Sequence, residues 1–282
     1  MTGHADPLPD ALPEGLTPVD DGLWTVEAEP IRAGGILPLP LRMVVIRLPD
    51  GGLLLYSPTR FTPALKRAVE ARGPIRHLVA PNVAHWMFLP DWQRACADAV
   101  VWGAPGLRDR AQVRAAGLRV DHDLGPVAPE AWRDAIEQVL VRSGPFAEVA
   151  MFHRASRTLL VADLVLNVPG EGMPPLARGF GGLAGILAPN GKAPIYLRAL
   201  LKLNGRAVAR AADRLVSLQP RRVVMSHGQP FEDRAAERLA ASLADLRGTG
   251  SGPSAATLAG LAGAALLIGL GLRRWRRRRG RR

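Results

Sequence analysis

Short apolar segments alternate with amphipathic helical segments along most of this chain, and that alternation constrains its fold more than any other feature. Segments 22–28 and 41–48 have the composition of strands, and the PDGG turn at 49–52 leads into a third strand, GLLLYS. From residue 62 onward, helical and strand-like segments follow each other in turn. This pattern is typical of a layered α/β domain that opens with antiparallel strands.

The remaining segments extend this prediction toward the carboxyl end. Helical spacing predicts helices over 62–72, 90–97, 107–117, 129–141, 195–218 and 232–247. Strands are predicted at HLVA, AVVWGA, EVAMFH, RTLLVAD and RVVMS, of which EVAMFH and RTLLVAD form a hairpin. The Gly/Pro-rich stretch 168–194 contains GFGGLAG without the strand-turn-helix context of a nucleotide loop, so we expect a loop or connector there.

The charge of the chain is concentrated at its carboxyl end. The formal net charge is +12, and eight arginines lie in the last ten residues, RRWRRRRGRR, which leaves +12 − 8 = +4 for the rest. The basic balance therefore says little about the partner of the α/β domain. Cys96 is the single cysteine, which excludes an intrachain disulfide, and we expect it to fill a small space in the core.

Three polar residues stand where apolar strands end. His85 follows HLVAPN, Asp163 ends TLLVAD, and His227 follows VVMS. In layered α/β folds, ligands collect at the carboxyl ends of strands, because side chains there converge on one rim. Two imidazoles and a carboxylate are a common ligand set for zinc, iron or manganese. The sequence therefore predicts a site for one such ion, although each residue alone could equally cap a strand.

The order of elements resembles the metallo-β-lactamase superfamily. It consists of the antiparallel opening strands, the alternating α/β part, the hairpin ending in LLVAD and the strand ending in SHG. The resemblance covers about residues 20–240 and is closest to its uncharacterised bacterial branches. It implies a four-layer αββα sandwich, to which the sequence adds a C-terminal apolar helix. It also implies that Asp163 and His227 are metal ligands, as the aspartate and the last histidine of the superfamily are.

The superfamily's first metal-binding motif, histidine-x-histidine-x-aspartate-histidine, is degenerate in this chain. It should fall on PNVAHW at 81–86, where only His85 remains, in the place of the aspartate. The next expected histidine, near Ser143, is missing, and His153 is the nearest substitute. A two-metal hydrolase site needs five or six protein ligands, so this sequence favours a single ion or none.

The C-terminal segment has the composition of a membrane anchor. We divide the chain into a leader at 1–20, the α/β domain at 21–245, a flexible linker at 246–253, an apolar segment at 254–272 and an arginine-rich tail at 273–282. The apolar segment is 19 uncharged residues, about 28 Å as a helix, close to the thickness of a bilayer's hydrocarbon. We therefore expect residues 254–282 to bind a membrane or anionic lipid.

Two rival uses of the tail and two functions for the domain follow. Clustered arginines can also bind nucleic acid, but the apolar neighbour argues against that use. No secretory signal is visible in the acidic, proline-rich first thirty residues, so we expect the domain in the cytoplasm. The domain is either a mononuclear metal-dependent hydrolase acting on a small molecule or a non-catalytic binding or scaffold protein of the same fold at the membrane.

Overall fold

The protein folds into two β-sheets and a set of helices. The structure, a computed structural model, describes residues 15–247. The strands in that range are β1 (Thr17–Asp20), β2 (Leu23–Ala33), β3 (Leu37–Arg47), β4 (Leu53–Tyr56), β5 (Ile75–Ala80), β6 (Val100–Gly103), β7 (His122–Asp123), β8 (Ile136–Ser143), β9 (Phe146–His153), β10 (Thr158–Val161) and β11 (Arg222–Met225). The helices are α1 (Pro63–Glu70), α2 (Leu89–Ala95), α3 (Ala111–Ala115), α4 (Pro175–Ala184), α5 (Ile195–Lys202), α6 (Gly205–Ser217) and α7 (Ala235–Arg247).

The first sheet contains β1 to β7 in sequence order, and the second has the order β11-β10-β9-β8. In the first sheet β1 to β4 are antiparallel and β4 to β7 are parallel. In the second sheet β8, β9 and β10 are antiparallel, and β11 lies parallel to β10. The carboxyl ends of β10 and β11 therefore lie at the same edge of the second sheet. The predicted ligands Asp163 and His227 follow these two strands.

Three buried clusters define the layers. One cluster contains apolar side chains of both sheets, such as Ile46 of β3 and Met151 of β9, so the sheets pack face to face. A second joins the outer face of the first sheet to α1, α2 and α3. A third joins the outer face of the second sheet to α5, α6 and α7. The order is helix, sheet, sheet, helix, which confirms the predicted αββα sandwich.

The predicted helix over 129–141 is wrong, because the segment enters a strand, β8, at Ile136. The eight residues of β8 pair with β9 in an unbroken antiparallel register. Ile136 and Leu140 face the core between the sheets, whereas Val139 and Val141 face the helices outside. Buried positions on both faces gave the segment a helix-like spacing, and sheet pairing decided its structure.

The Gly/Pro-rich stretch 168–194, expected to be a loop, contains a helix. The GFGGLAG motif lies within α4 and ends it at Gly185, which has φ +76° and stops the helix in the left-handed conformation. Residues 195–218, predicted as one helical segment, form α5 and α6 with a short break between them.

At the ends of the described range, the structure extends the predicted domain slightly. Residues 17–20, which we assigned to the leader, form β1 and pair with β2. Helix α7 runs to Arg247, two residues into the predicted linker. No helix within residues 15–247 is long and apolar enough to cross a membrane. The predicted apolar helix 254–272 and the arginine-rich tail lie outside the described residues.

Candidate metal centre

His85, Asp163 and His227 come together at one edge of the sandwich. Asp163 follows β10, His227 follows β11, and His85 lies on the turn after β5. The His85 Nε2 atom lies 3.3 Å from both His227 Nε2 and Asp163 Oδ1, and His227 Nε2 lies 3.4 Å from that same carboxylate oxygen. Three ligand-type atoms therefore form a nearly equilateral triangle.

The size of this triangle fits one tetrahedral metal ion. A tetrahedral ion with ligand bonds of 2.0 to 2.1 Å places its ligand atoms about 3.3 to 3.4 Å apart. All three edges fall in that range. The two imidazoles are mostly buried and the carboxylate is about one-fifth exposed, so the triangle is reached from one side. Within residues 15–247, these three residues are the one group with the composition and spacing of a metal site.

The orientation of His227 is fixed by β3. Its Nδ1 lies 2.7 Å from the carbonyl oxygen of Pro40, and because a carbonyl only accepts, Nδ1 carries the proton. In the neutral form of this ring, Nε2 points its lone pair into the triangle. The buried guanidinium of Arg42 donates to the carbonyls of Met225 and Gly228 on either side, at 2.7 and 2.5 Å. The last strand and its histidine are thus held by the opposite sheet.

Gly228 makes the tight turn after His227 feasible. Its φ is +106°, and a Cβ there would lie 2.2 Å from the backbone oxygen of Asn167. Gly228 and Asn167 form an isolated parallel bridge, so the chain after Asp163 lies directly against the chain after His227. Only glycine allows that approach, and it keeps two of the three candidate ligands at a fixed separation.

His85 is held from behind by Ser57, which the sequence did not single out as part of the site. The Ser57 hydroxyl lies 2.7 Å from Nδ1 of His85. Ser57 is buried at the end of β4 and has φ +54°, an unfavourable value for a residue other than glycine. When Nδ1 of His85 donates to this hydroxyl, Nε2 presents its lone pair to the triangle.

Asn82 links the turn that carries His85 to Asp163 and to a second carboxylate, Glu148. Its side-chain oxygen accepts from the backbone N–H groups of Ala84 and His85 at 2.8 and 3.1 Å, which shapes the turn that carries the histidine. Its amide nitrogen donates to Asp163 Oδ2 at 2.8 Å and to Glu148 Oε2 at 3.1 Å. One carboxylate oxygen of Asp163 is therefore occupied, and the other faces the two histidines.

Glu148 is a buried carboxylate beneath the site, and sequence reasoning missed it. It accepts from the backbone N–H groups of Ala162 and Asp163 at 2.8 Å and of Leu164 at 3.3 Å, besides the amide of Asn82. Burial, and then the charge of Asp163, raise the pKa of Glu148 to about 7. These hydrogen bonds fix the backbone of the segment after β10 and thereby the position of Asp163.

The electrostatics of Asp163 favour its charged form. Burial alone would raise its pKa, but the charges and hydrogen bonds of His85 and His227 outweigh burial and hold the pKa of Asp163 well below its ordinary value. An anion thus faces two imidazoles at the rim, which is the charge distribution that a divalent cation requires.

Two further histidines and the cysteine lie outside the site. His153, the substitute for the missing histidine, bonds to Ser156 at the far end of β9, so the suggestion that it joins the site is wrong. His122 is exposed on β7, and Cys96 lies half-buried against the core beside α2. Trp86 and Trp92 are core residues packed against the first sheet.

Comparison with known structures shows the same fold in metallo-β-lactamases and flavodiiron proteins. The chain is similar to a metallo-β-lactamase from Pontibacter korlensis, with a TM-score of 0.55 and 14% identity over 83% of this chain and 99% of that one. It is similar to the FIM-1 enzyme of Pseudomonas aeruginosa in its mono-zinc form, with a TM-score of 0.51 and 17% identity over 84% and 98%. It also matches the metal-soaked Flv1 flavodiiron core of Synechocystis sp. PCC6803, at 0.57 and 12% identity, over 82% of this chain and 60% of that one.

At the level of sequence, one family model matches, and a comparison with curated proteins gives no match. The matching model is described as a domain of unknown function, DUF4336, and covers residues 20–179. That range includes His85 and Asp163 and ends before His227. The chain therefore belongs to the DUF4336 family and has the fold of the metallo-β-lactamase superfamily.

Proposed function

We propose that this protein is a hydrolase that uses a single metal ion held by His85, Asp163 and His227. The observation that carries the proposal is the triangle of two imidazole nitrogens and one carboxylate oxygen with edges of 3.3 to 3.4 Å. Three protein ligands and an open position are the arrangement of catalytic rather than structural zinc sites. When bound, such an ion supplies a Lewis acid and lowers the pKa of a coordinated water toward neutrality.

The surrounding residues support this use by fixing each donor atom. Pro40 sets the proton of His227 on Nδ1, and Ser57 occupies Nδ1 of His85, so both Nε2 atoms are free to coordinate. Asn82 occupies Oδ2 of Asp163 and leaves Oδ1 as a single anionic ligand. Partners of this kind orient metal ligands and strengthen binding.

The proposal is for one ion, which is zinc, iron or manganese. Pro81, Val83 and Trp86 stand where the superfamily's first motif has its histidines, and the described residues contain one group of ligand type. Among similar proteins, FIM-1 is known in a mono-zinc form, and the Flv1 core is described as metal-soaked. A site with two nitrogens and one oxygen suits all three metals.

Hydrolysis of simple activated substrates tests this proposal. We expect full-length protein reconstituted with zinc or manganese to cleave 4-nitrophenyl acetate or bis(4-nitrophenyl) phosphate, and chelator-treated protein to lose that activity. His227→Ala should abolish the activity, while His122→Ala, an exposed histidine outside the site, should leave it unchanged. Activity that survives both chelation and His227→Ala would show that the chemistry lies elsewhere.

The second candidate is a non-catalytic binding or scaffold protein of the same fold. The buried hydrogen bonds among Glu148, Asn82 and Asp163 would then serve only to join the two sheets. Metal analysis of protein purified without chelator separates the two functions. Absence of zinc, iron and manganese, together with an unchanged phenotype of His227→Ala, favours the scaffold.

Membrane association through residues 254–282 also stays a proposal, and it rests on sequence alone. The support is the 19-residue uncharged segment followed by eight arginines. Sedimentation of the full-length protein with vesicles that contain phosphatidylglycerol tests it. Retention of binding after deletion of the apolar segment, together with binding to DNA, would favour the nucleic-acid alternative.

A further inference from the structure

Helix α4 turns large apolar side chains outward. Leu176, Phe180 and Leu183 are 64%, 50% and 77% exposed. Their spacing of four and three residues places them on one face of the helix, whereas the small residues Ala177 and Gly181 face the protein. This face of α4 is apolar where a surface helix normally presents charge.

The exposed large apolar residues are concentrated in this part of the chain. Of the eight large apolar residues that are exposed within residues 15–247, five lie between 176 and 203: Leu176, Phe180, Leu183, Ile195 and Leu203. Scattered apolar residues need no explanation, but a concentration of this kind marks an interaction surface. We call the outward face of α4, formed by Leu176, Phe180 and Leu183, the α4 patch.

The α4 patch lies beside the rim of the candidate metal centre. The segment that leads from Asp163 to α4 pairs with the segment that follows the helix, through hydrogen bonds between Val168 and both Ile186 and Ala188. Leu37 and Leu39 of β3 pack against the same small cluster. Whatever covers the α4 patch therefore approaches the edge of the site.

The chain leaves the described domain next to this helix. Near the end of α7, the carboxylate of Asp245 accepts from Arg198 at 2.8 Å and from Lys192 at 3.2 Å. The guanidinium of Arg198 lies against Gly185, the residue that ends α4, since a Cβ there would be 2.8 Å from it. The described chain ends two residues after Asp245, at Arg247, and the apolar segment 254–272 begins seven residues further along the sequence.

A lipid surface is the occupant that these features favour. The α4 patch alone could not cover the apolar segment, because its 19 residues would be about 28 Å long as a helix, whereas α4 is about 15 Å long. Between residues 171 and 203 the chain has four basic residues and one acidic residue; Lys192 and Arg198 pair with Asp245, and Arg178, which is exposed on α4, and Lys202 are the other two. Apolar side chains with basic neighbours are typical of surfaces that bind anionic bilayers.

We propose that the α4 patch docks onto an anionic lipid bilayer beside the tail, and so holds the rim of the metal centre at the membrane surface. The two contacts are separable, because one belongs to the folded domain and the other to residues 254–282. The inference stands independently of the hydrolytic activity, since it rests on the exposed face of α4 and on the course of the chain.

A fluorescent label on the patch tests the proposal in the full-length chain. Cys96→Ser removes the native thiol, and Leu183→Cys then carries an environment-sensitive nitrobenzoxadiazole group. We expect its emission to shift to the blue and to brighten when phosphatidylcholine vesicles with phosphatidylglycerol are added. The matched control is Val127→Cys, which is equally exposed at 77%. Val127 lines a groove with Ile136 and Arg154 at the opposite end of the second sheet, about 17 Å along β9 from Glu148, and its label should not respond.

A variant that weakens only the patch provides the second measurement. Leu176→Ser, Phe180→Ser and Leu183→Ser together should lower vesicle binding of the full-length chain at least about tenfold, while circular dichroism and melting temperature stay those of a folded domain. Each other result overturns the proposal. A label already blue-shifted without vesicles means that the tail or a second copy covers the patch, and dilution separates these two. Vesicle binding without a shift at residue 183 means that the tail alone binds lipid.

Discussion

The substitution Asn82→Asp tests how the site is held together. It changes one atom of a buried side chain, replacing the amide nitrogen by oxygen and keeping its shape. In the native protein that nitrogen donates to Asp163 Oδ2 at 2.8 Å and to Glu148 Oε2 at 3.1 Å. The variant brings a third carboxylate oxygen to the same distances from two others. Both hydrogen bonds become repulsive contacts between acceptors.

The size of the effect follows from these two contacts. A hydrogen bond to a charged partner contributes about 1.5 to 3 kcal/mol, so losing two predicts a loss of about 3 to 6 kcal/mol in the free energy of unfolding. The new carboxyl is buried among anions, so its folded-state pKa lies above its unfolded value of about 3.9. The destabilisation is therefore smallest below that pH and grows as the pH rises through the folded-state pKa.

Urea denaturation of chelator-treated protein at pH 5 and pH 8 measures this loss. The matched control is Asn204→Asp, because Asn204 is exposed and its amide donates one hydrogen bond, to the carbonyl of Arg142. The control should change stability by less than about 0.5 kcal/mol at either pH. A loss below about 1 kcal/mol for Asn82→Asp at pH 8, or a loss equal to that of the control, would refute the role assigned to Asn82.

Three further predictions concern backbone, titration and metal affinity. Gly228→Ala should destabilise the protein by at least about 3 kcal/mol in urea, because a Cβ would meet a backbone oxygen at 2.2 Å, whereas Gly179→Ala on α4 should stabilise it by about 0.5 to 1 kcal/mol. Burial lowers the pKa of His153, so the stability of the protein should fall as the pH drops below about 6.5. In thermal melts, His153→Gln should reduce this dependence of stability on pH. An unchanged dependence would contradict the role assigned to His153. Ser57→Ala should weaken zinc binding about tenfold in chelator competition by freeing His85, and unaltered affinity would leave the Ser57 hydroxyl without a role at the site.

The three candidate ligands could be predicted because each follows an apolar strand. His85, Asp163 and His227 needed only the rule that side chains at the carboxyl ends of strands converge. The alternation of strands and helices predicted a layered α/β domain, and the αββα sandwich followed from the resemblance to the metallo-β-lactamase superfamily. The segment 129–141 was wrongly predicted as a helix because β8 buries residues on both of its faces.

The supporting residues could not be predicted from the sequence. Glu148 stands inside the strand EVAMFH, where a charged residue normally marks an exposed position. Its burial comes from backbone N–H groups 14 to 16 residues away, which no local pattern encodes. No sequence pattern identifies Ser57 either, because its role depends on a positive φ and on a contact with His85, 28 residues further along the chain. The outward apolar face of α4 was hidden among glycines and prolines that indicated a loop.

The stoichiometry of metal binding tests the central claim most directly. Titration of chelator-treated, full-length protein with zinc or manganese by calorimetry should give one ion per chain, and X-ray absorption should find two imidazole nitrogens around it. His227→Ala should abolish this binding, and His153→Ala should leave it intact. Two ions per chain, no binding, or binding that survives His227→Ala would contradict the account.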